Sequence, residues 1–375
     1  MKRSAIAAMI AIPAIVTAST PVPPVPGMGT IGIVSISSII PADQLDAGTN
    51  MLLSAGYRVK VASNVPGPKV APPEERARIL EECWLDPEID MLLFSRGGEG
   101  AEEVVSLLDW ERLRTRPDMP VVGFSDVTIL LGAMLAKGVG HPISGPMLSY
   151  AKRLTPEARD WFRTVMAGVF NGPPGGRSNG GEDGPPGGRP LPVVKLQPLN
   201  GGNAADLKPV GPLNGGEAAN LTPEGQFTGG EAANLTPEGQ FHLVDAAPDG
   251  KRTTARPMGG HVTRLFWLWE HGLAPAASNR VVFLECTARH KAGIVIGELT
   301  AMRKGGFFDG AAAVVLCDFR HEGAERAALD AFFPDFAASL PCPVFAGFPY
   351  GHIPGILAID FRREVSISAD GALRF

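Results

Sequence analysis

The stretch Val121-Val122-Gly123-Phe124-Ser125-Asp126-Val127-Thr128 passes from an apolar strand through a tight turn into a helix. The helix presents apolar side chains at helical spacing, namely Ile129, Leu130 and Met134. A strand that turns directly into a helix is the repeating unit of a parallel sheet covered by helices. The stretch therefore predicts an α/β fold.

Similar units lie on the N-terminal side of this stretch. The strand-like runs are IGIVSI (31–36), YRVKVA (57–62) and MLLFS (91–95), and helical stretches at 41–55, 73–85 and 101–108 separate or follow them. The alternation predicts a Rossmann-like parallel-sheet domain over residues 29–170. No dinucleotide site is predicted in this domain, because the glycine cluster RGGEG (96–100) lacks the GxGxxG order and no GxxxxGK[ST] loop occurs.

A second, smaller α/β domain is predicted over residues 251–375. Its strand-like runs are RVVFLE (280–285), AAAVVLCDF (311–319) and PVFAGF (343–348), and its helical stretches lie at 262–270, before Met302 and at 322–333. The terminal runs ILAIDF (356–361) and EVSISA (364–369), with a turn at Asp370-Gly371, predict a small antiparallel appendage.

Between the two domains, residues 171–250 are rich in Gly, Pro, Asn and Glu and contain repeats. Three related units follow one another at 201–214, 215–228 and 229–242. Such a composition has too few large apolar residues to offset its ordering entropy, so we predict a disordered surface insertion. A repeat solenoid is the alternative, although each unit offers only about one Leu and one Phe to a core.

The N-terminal residues 1–28 resemble an export signal followed by a Pro-rich tether. Lys2 and Arg3 precede an apolar stretch at 5–16 and a small-residue site at 16–18. The stretch is too short for a stable membrane span. The pattern predicts an exported, periplasmic protein, and the alternative is a cytoplasmic protein with a disordered tail or a mis-assigned start.

Composition restricts the classes of partner. The formal net charge is -5 and 45% of the residues are hydrophobic, which is typical of a globular enzyme and predicts no nucleic-acid partner. No zinc-type ligand spacing occurs among the cysteines, which we interpret as buried thiols and which are Cys83, Cys286, Cys317 and Cys342. The sequence predicts no metal and no cofactor.

Ser125 is the candidate nucleophile. A serine at the turn between a strand and a helix points its hydroxyl away from the sheet edge, beside the free N–H groups of the first helical turn. The alternative is that Ser125 or Asp126 only caps the helix. The fragment GFSDV also lacks the last glycine of the GxSxG nucleophile turn.

Three separated segments together resemble the LD-carboxypeptidase family, which includes muramoyl-tetrapeptide carboxypeptidases and the microcin self-immunity protein. The segments are DPEIDMLLFSRGGEG (86–100) with GFSDVT (123–128), GGHVTRLFWLWEHG (259–272) with VVFLE (281–285), and GFPYGH (347–352). The chain departs from the family at Gly259-Gly260-His261-Val262, where GGNL is usual, and at Cys286, where an acidic residue is common.

The resemblance implies a Ser-His-Glu triad of Ser125, His352 and Glu285. In such a triad the histidine accepts the serine proton, and the carboxylate fixes the imidazole tautomer. Taken singly, Glu285 also fits a solvated strand-end carboxylate and His352 a turn histidine beside Gly351. Because all three follow strand ends in two domains, we expect a cleft between the domains.

The oxyanion donors are predicted less directly. The backbone N–H of Asp126, together with that of Gly97 or Gly98, would suit an oxyanion hole. Arg96 is a candidate for the substrate's terminal carboxylate, and an ion pair within the fold is its alternative.

By resemblance, the substrate is a murein peptide, from which the enzyme releases the terminal D-alanine through an acyl-enzyme, and the protein pairs as a homodimer. One alternative activity is hydrolysis of peptidyl or aminoacyl nucleotides, as in microcin immunity. Another alternative is a binding protein that keeps the cleft without turnover.

Overall fold

The computed structural model describes residues 29–171, 193–199, 252–369 and 371–375. The predicted export signal and most of the repeat insertion lie outside these residues. Among the described residues, no helix is long and apolar enough to cross a membrane.

The N-terminal part alternates strands and helices as the sequence predicts. Its strands are β1 Thr30–Val34, β2 Arg58–Val61, β3 Met91–Phe94, β4 Pro120–Gly123 and β5 His141–Ser144. Its helices are α1 Ala42–Ser54, α2 Pro73–Leu85, α3 Ala101–Val105, α4 Trp110–Leu113, α5 Thr128–Lys137 and α6 Pro156–Asn171. Strands β1 and β3 are fully buried, as expected where helices cover both faces of a parallel sheet.

The remaining elements form the second domain. Its strands are β6 Val194–Lys195, β7 Gln197–Pro198, β8 Arg252–His261, β9 Arg280–Cys286, β10 Ala313–Phe319, β11 Val344–Ala346, β12 Ile359–Asp360, β13 Val365–Ser368 and β14 Ala372–Arg374. Its helices are α7 Val262–Glu270, α8 Ala292–Lys304 and α9 Gly323–Ser339. Helix α9 runs past Pro334, where the sequence predicts its end, and buries Phe336 and Ala337 beyond the proline.

The strands form two sheets in the described part of the chain. The first has the order β12-β5-β4-β3-β1-β2, and the second has the order β6-β14-β13-β8-β9-β10-β11-β7. Strands β1 to β5 are parallel, as are β8 to β11 where they pair. The fold is therefore α/β with two sheets, and the carboxyl ends of β4 and β9 carry Ser125 and Glu285.

Two predicted assignments differ from the structure. The run ILAIDF does not join the terminal appendage, because Ile359–Asp360 pairs antiparallel with β5 and closes the edge of the first sheet. Residues 193–199, assigned from sequence to the insertion, instead supply β6 and β7 to the two edges of the second sheet. In both cases backbone groups at a sheet edge gain hydrogen-bonding partners from a distant segment. The turn residue Asp370 lies outside the described residues.

The two domains share one continuous apolar core. Trp161 of α6 donates its indole N–H to the carbonyl of Ala358, 2.8 Å away, and packs edge-on against Phe348. On the opposite side of the first sheet, Leu268 of α7 fills the space above Gly132 of α5, where an added methyl group would lie 2.4 Å from Leu268 Cδ1. This packing fixes the second domain against the nucleophile turn.

Candidate active site

Ser125 occupies a strained turn at the end of β4. Its φ of 62° lies in the left-handed region, which costs a residue with a Cβ about 1–3 kcal/mol and is found mainly at functional sites. Phe124 before it is fully buried, and the N–H of Val127 donates to the Phe124 carbonyl at 3.2 Å. The core therefore holds the turn, while Ser125 itself stays partly exposed.

The structure brings Ser125, His352 and Glu285 together. His352 Nε2 lies 2.9 Å from Ser125 Oγ, and His352 Nδ1 lies 2.8 Å from Glu285 Oε2. The chain of hydrogen bonds joins the first domain to two segments of the second. This arrangement places an imidazole so that it can take the serine proton while its other nitrogen donates to a carboxylate.

Glu285 is buried at the end of β9, and Gly351 shapes the approach of His352 to it. Gly351 has a φ of 135°, and a methyl group added there would lie 3.2 Å from Glu285 Cβ. Glycine thus permits the close approach that lets the following histidine reach the carboxylate. The ring of Phe124 also packs against that of His352, with the two ring centroids 5.0 Å apart.

Of the two glycines predicted near the nucleophile, the structure places Gly97 beside it. A methyl group added to Gly97 would lie 3.1 Å from Ser125 Oγ. Gly98, with a φ of 132°, packs instead against Ser38, and its carbonyl accepts a hydrogen bond from Arg264. The backbone N–H of Asp126 belongs to the first turn after Ser125, where N–H groups have no intrahelical acceptor.

The side chain of Asp126 has a role that the sequence analysis does not predict. It is buried, and its Oδ2 accepts hydrogen bonds from Ser37 Oγ at 2.6 Å and from the N–H of Ala101 at 3.0 Å. Burial raises its pKa to about 6, although Arg264 and the two hydrogen bonds act in the opposite direction. Asp126 therefore links the nucleophile turn to Ser37 and to the first residue of α3.

Arg96 is half-buried and donates to the carbonyl of Ile39 at 3.2 Å. It forms no ion pair with any carboxylate of the described residues, so the predicted alternative of an internal ion pair is not observed. Burial lowers the pKa of Arg96, and the charge of Arg289 lowers it further. Two guanidinium groups thus face the same region, which favours a bound anion.

The sequence marks His261 only as a departure from the family pattern, and the structure places it beside the triad. His261 is buried, and its ring lies edge-on to that of His352, with centroids 5.8 Å apart. Its Nδ1 lies 2.9 Å from Thr263 Oγ1, and its Nε2 accepts from the N–H of Thr287 at 3.4 Å. Burial, followed by the charge of His352, lowers the pKa of His261 well below its usual value. His261 is therefore uncharged, and its ring packs against that of His352.

Asp318 and Cys286 also lie beside the triad. Asp318 is the last residue but one of β10, next to β9, and burial raises its pKa to about 6. Cys286 follows Glu285, and burial raises the pKa of its thiol, which makes it a poor nucleophile. Among the described residues, no three His, Cys, Asp or Glu side chains are placed to hold a metal ion.

Comparison with known families identifies both halves of the chain. Residues 31–143 match the LD-carboxypeptidase N-terminal domain, and residues 254–367 match the LD-carboxypeptidase C-terminal domain. The murein tetrapeptide carboxypeptidase of Pseudomonas aeruginosa is 35% identical over 74 residues, which cover 20% of this chain and 24% of that protein. Alignments with the curated relatives span 24 to 42% of the relatives' lengths.

Solved structures share the fold over nearly the whole chain. The muramoyltetrapeptide carboxypeptidase of Oxalobacter formigenes superposes with a TM-score of 0.65 at 18% identity, covering 92% of this chain and 97% of that one. The microcin C7 self-immunity protein MccF, in its inactive mutant form, gives a TM-score of 0.66 at 17% identity, covering 94% and 96%. MccF has also been solved with aspartyl sulfamoyl adenosine. At these identities the likeness concerns the fold.

Proposed function

Because the chain belongs to the LD-carboxypeptidase family, we propose that it is a serine carboxypeptidase that releases the terminal D-alanine from murein tetrapeptides. The observation that carries this proposal is the unbroken hydrogen-bond chain from Glu285 through His352 to Ser125. The strained backbone at Ser125 supports it, because such strain is found where a side chain must be held for chemistry.

In the proposed reaction, Ser125 Oγ attacks the carbonyl carbon of the last peptide bond while His352 Nε2 takes the hydroxyl proton. The tetrahedral intermediate collapses as the imidazolium gives that proton to the departing amine, and D-alanine leaves. Water then attacks the acyl-enzyme, with His352 as base, and the shortened peptide is released. Glu285 stabilises the imidazolium in both halves of the reaction.

The oxyanion needs donors aimed at the developing charge. We assign this role to the backbone N–H groups of Gly97 and Asp126. Gly97 is in contact with Ser125, and Asp126 begins the helical turn that follows it. Gly98 fits less well, because it packs against Ser38.

Arg96 is the proposed anchor for the carboxylate of the D-alanine residue. It lies two residues after the end of β3, neighbours Gly97, and lacks a carboxylate partner in the described part of the chain. A substrate carboxylate would supply a counter-charge to Arg96 and to the nearby Arg289. This arrangement explains why a peptide with a free C-terminus would be preferred.

Replacing Arg96 by glutamine is expected to raise KM for the tetrapeptide about 10- to 100-fold, because a charge-assisted hydrogen bond contributes roughly 1.5–3 kcal/mol. Steady-state kinetics of D-alanine release would measure the change. The matched control is Arg163→Gln, which removes an exposed guanidinium on α6. Equal KM values for the wild type and Arg96→Gln would contradict the assignment.

Hydrolysis of peptidyl or aminoacyl nucleotides is the second candidate function. Its support is the fold shared with MccF and the guanidiniums of Arg96 and Arg289, which have no ion pair with a carboxylate among the described residues and would suit a phosphate or sulfamoyl group as well as a carboxylate. A cleft-binding protein without turnover is the third candidate. It is disfavoured by the aligned triad, which a pure binding protein does not need.

The test supplies purified protein with a murein tetrapeptide and, separately, with an aminoacyl nucleotide. Release of free D-alanine from the first substrate supports the proposed function. Cleavage of the second substrate alone supports the immunity-type activity. Failure of the wild type to react with a fluorophosphonate probe would favour the binding protein.

Two further features stay predictions from sequence. Pairing as a homodimer can be checked by light scattering of the purified protein, and export to the periplasm by N-terminal sequencing of the native protein.

A further inference from the structure

We propose that Arg264 is a positioning residue, which holds the oxyanion loop (residues 97–99) and the nucleophile turn (residues 124–127) in their reactive arrangement from the opposite domain. The inference deepens the proposed function and rests on it. Arg264 lies in the first turn of α7, whereas both segments it contacts belong to the first domain.

On the nucleophile side, Arg264 contacts the residue that follows Ser125. Its Nε lies 3.0 Å from Asp126 Oδ1, a close charge contact whose angle is not that of a hydrogen bond. The Asp126 side chain is fully buried, and Arg264 is only 16% exposed. A charge pair so shielded from water is only weakly screened by salt. Moving α7 would therefore change the environment of the nucleophile turn directly.

On the oxyanion side, the same guanidinium holds the glycine loop. Arg264 Nη2 donates to the carbonyl of Gly98 at 3.2 Å, and the N–H of Ser38 donates to the carbonyl of Gly97 at 3.3 Å. Because a trans peptide is planar, these contacts fix the two peptide units that follow Gly97 and Gly98, and so restrain the loop immediately after the Gly97 N–H. Glycines lack the side chains that would otherwise restrain such a loop. Arg264 supplies one of these restraints.

The contacts converge on a small set of charged and polar groups. Asp126 faces Arg264 and Glu102, and its Oδ2 also accepts from Ser37 and the Ala101 N–H. Glu102 Oε1 lies 4.0 Å from Arg264 Nη1. Arg264 is thus the cation that balances these two carboxylates. Without it, the buried Asp126 would keep its hydrogen bonds but lose its counter-charge.

The geometry explains why a lysine would not be equivalent. A guanidinium presents several N–H donors in a fixed plane, so Arg264 can reach Asp126 and the Gly98 carbonyl at once. A lysine ammonium is a single point of charge and would favour one partner. The site therefore uses the shape of arginine as well as its charge.

The experiment compares Arg264→Met with the wild type in D-alanine release. We expect kcat to fall about 10- to 100-fold, because misplacing catalytic groups by about 1 Å has effects of this size, while KM changes less than about threefold. Since Arg264 lowers the pKa of Asp126, its removal raises that pKa. Because the ionised Asp126 carboxylate holds Ser37 and the Ala101 N–H at the nucleophile turn, the loss of kcat toward low pH should begin at higher pH in Arg264→Met than in the wild type.

The double variant Asp126→Asn/Arg264→Met separates positioning from charge compensation. Arg264→Met leaves the Asp126 charge buried without its partner, so we expect its Tm to fall. The double variant removes both buried charges, so its Tm should return toward the wild-type value while its kcat stays low. The shift of the pH profile seen in Arg264→Met should be absent from the double variant. Recovery of both Tm and kcat would overturn the proposal. An unchanged kcat in a folded Arg264→Met protein would also overturn it.

Two controls complete the design. Arg78→Met removes an exposed guanidinium from an ion pair on α2 and should leave kcat unchanged. The rate of fluorophosphonate labelling of Ser125 is measured in parallel. If the wild type labels but releases no D-alanine, the substrate proposal fails, and a labelling rate of Arg264→Met equal to that of the wild type would then refute the role of Arg264.

Discussion

Replacing Ser125 by alanine is expected to lower kcat for D-alanine release about a million-fold, the size of effect seen when a triad nucleophile is removed. The reason is geometric, because Ser125 Oγ is the hydroxyl that lies 2.9 Å from His352 Nε2. Alanine keeps a Cβ at the strained backbone position, so Tm should change little. D-alanine release and thermal unfolding measure the two expectations, and calorimetry with the intact tetrapeptide should still show binding.

The matched control is Ser106→Ala, which removes an exposed hydroxyl that bonds only within its own helical turn in the described structure. It should retain wild-type kcat. If Ser125→Ala kept a kcat within about tenfold of the wild type, covalent catalysis through this serine would be excluded. Loss of both activity and folding would instead indicate that Ser125 is a structural turn residue.

The parts of the fold that sequence predicts well are those with a local signal. The apolar runs that became β1, β3 and β4 are buried strands whose neighbours in the chain cover them, so periodicity and turn residues suffice to locate them. The turn at Ser125 can likewise be predicted from neighbouring residues, because an apolar strand ends there in Gly-Phe-Ser-Asp.

The pairing of other strands has no local signal, because a distant segment decides it. Strands β6, β7 and β12 are two residues long and pair with strands far away in the chain. Residues 193–199 (VVKLQPL) do differ from the sequence around them, with four Val and Leu and no glycine, but this composition does not show which strands they pair with. Their structure comes from the open sheet edges that they complete.

The site shows the same division. The residues with a motif around them, Ser125, His352 and Glu285, could be named from sequence because family resemblance supplied their spacing. Arg264 and His261 lie in the family-like segment 259–272, but the resemblance gives them no role, and the contacts that join Arg264 to Asp126 and Gly98 cross between distant parts of the chain. One signal was nevertheless present, since Arg264 is the one positive charge in the mainly apolar helix VTRLFWLWE, whose other charge, Glu270, lies at its last residue. A charge in such a stretch needs a buried partner, and Asp126 provides it.

Replacing Glu285 by glutamine is expected to lower kcat about 10⁴-fold, while KM and fold are retained. Glutamine has nearly the same shape, but its amide group can donate to His352 Nδ1. The imidazole would then carry its proton on Nε2, toward Ser125 Oγ, and could not act as the base. D-alanine release and the rate of fluorophosphonate labelling should fall together, because both depend on deprotonating Ser125.

The competing explanation is that Glu285 only supports the loop that carries His352, since Gly351 packs closely against it. That explanation predicts a lower Tm with a largely retained kcat, whereas a tautomer effect predicts an unchanged Tm with a large loss of kcat. Glu111→Gln, at an exposed position on α4, shows the effect of the same chemical change away from the site. If the carboxylate acts through the imidazole, Glu285→Gln loses kcat while its Tm equals that of Glu111→Gln. Any other combination of kcat and Tm contradicts this role.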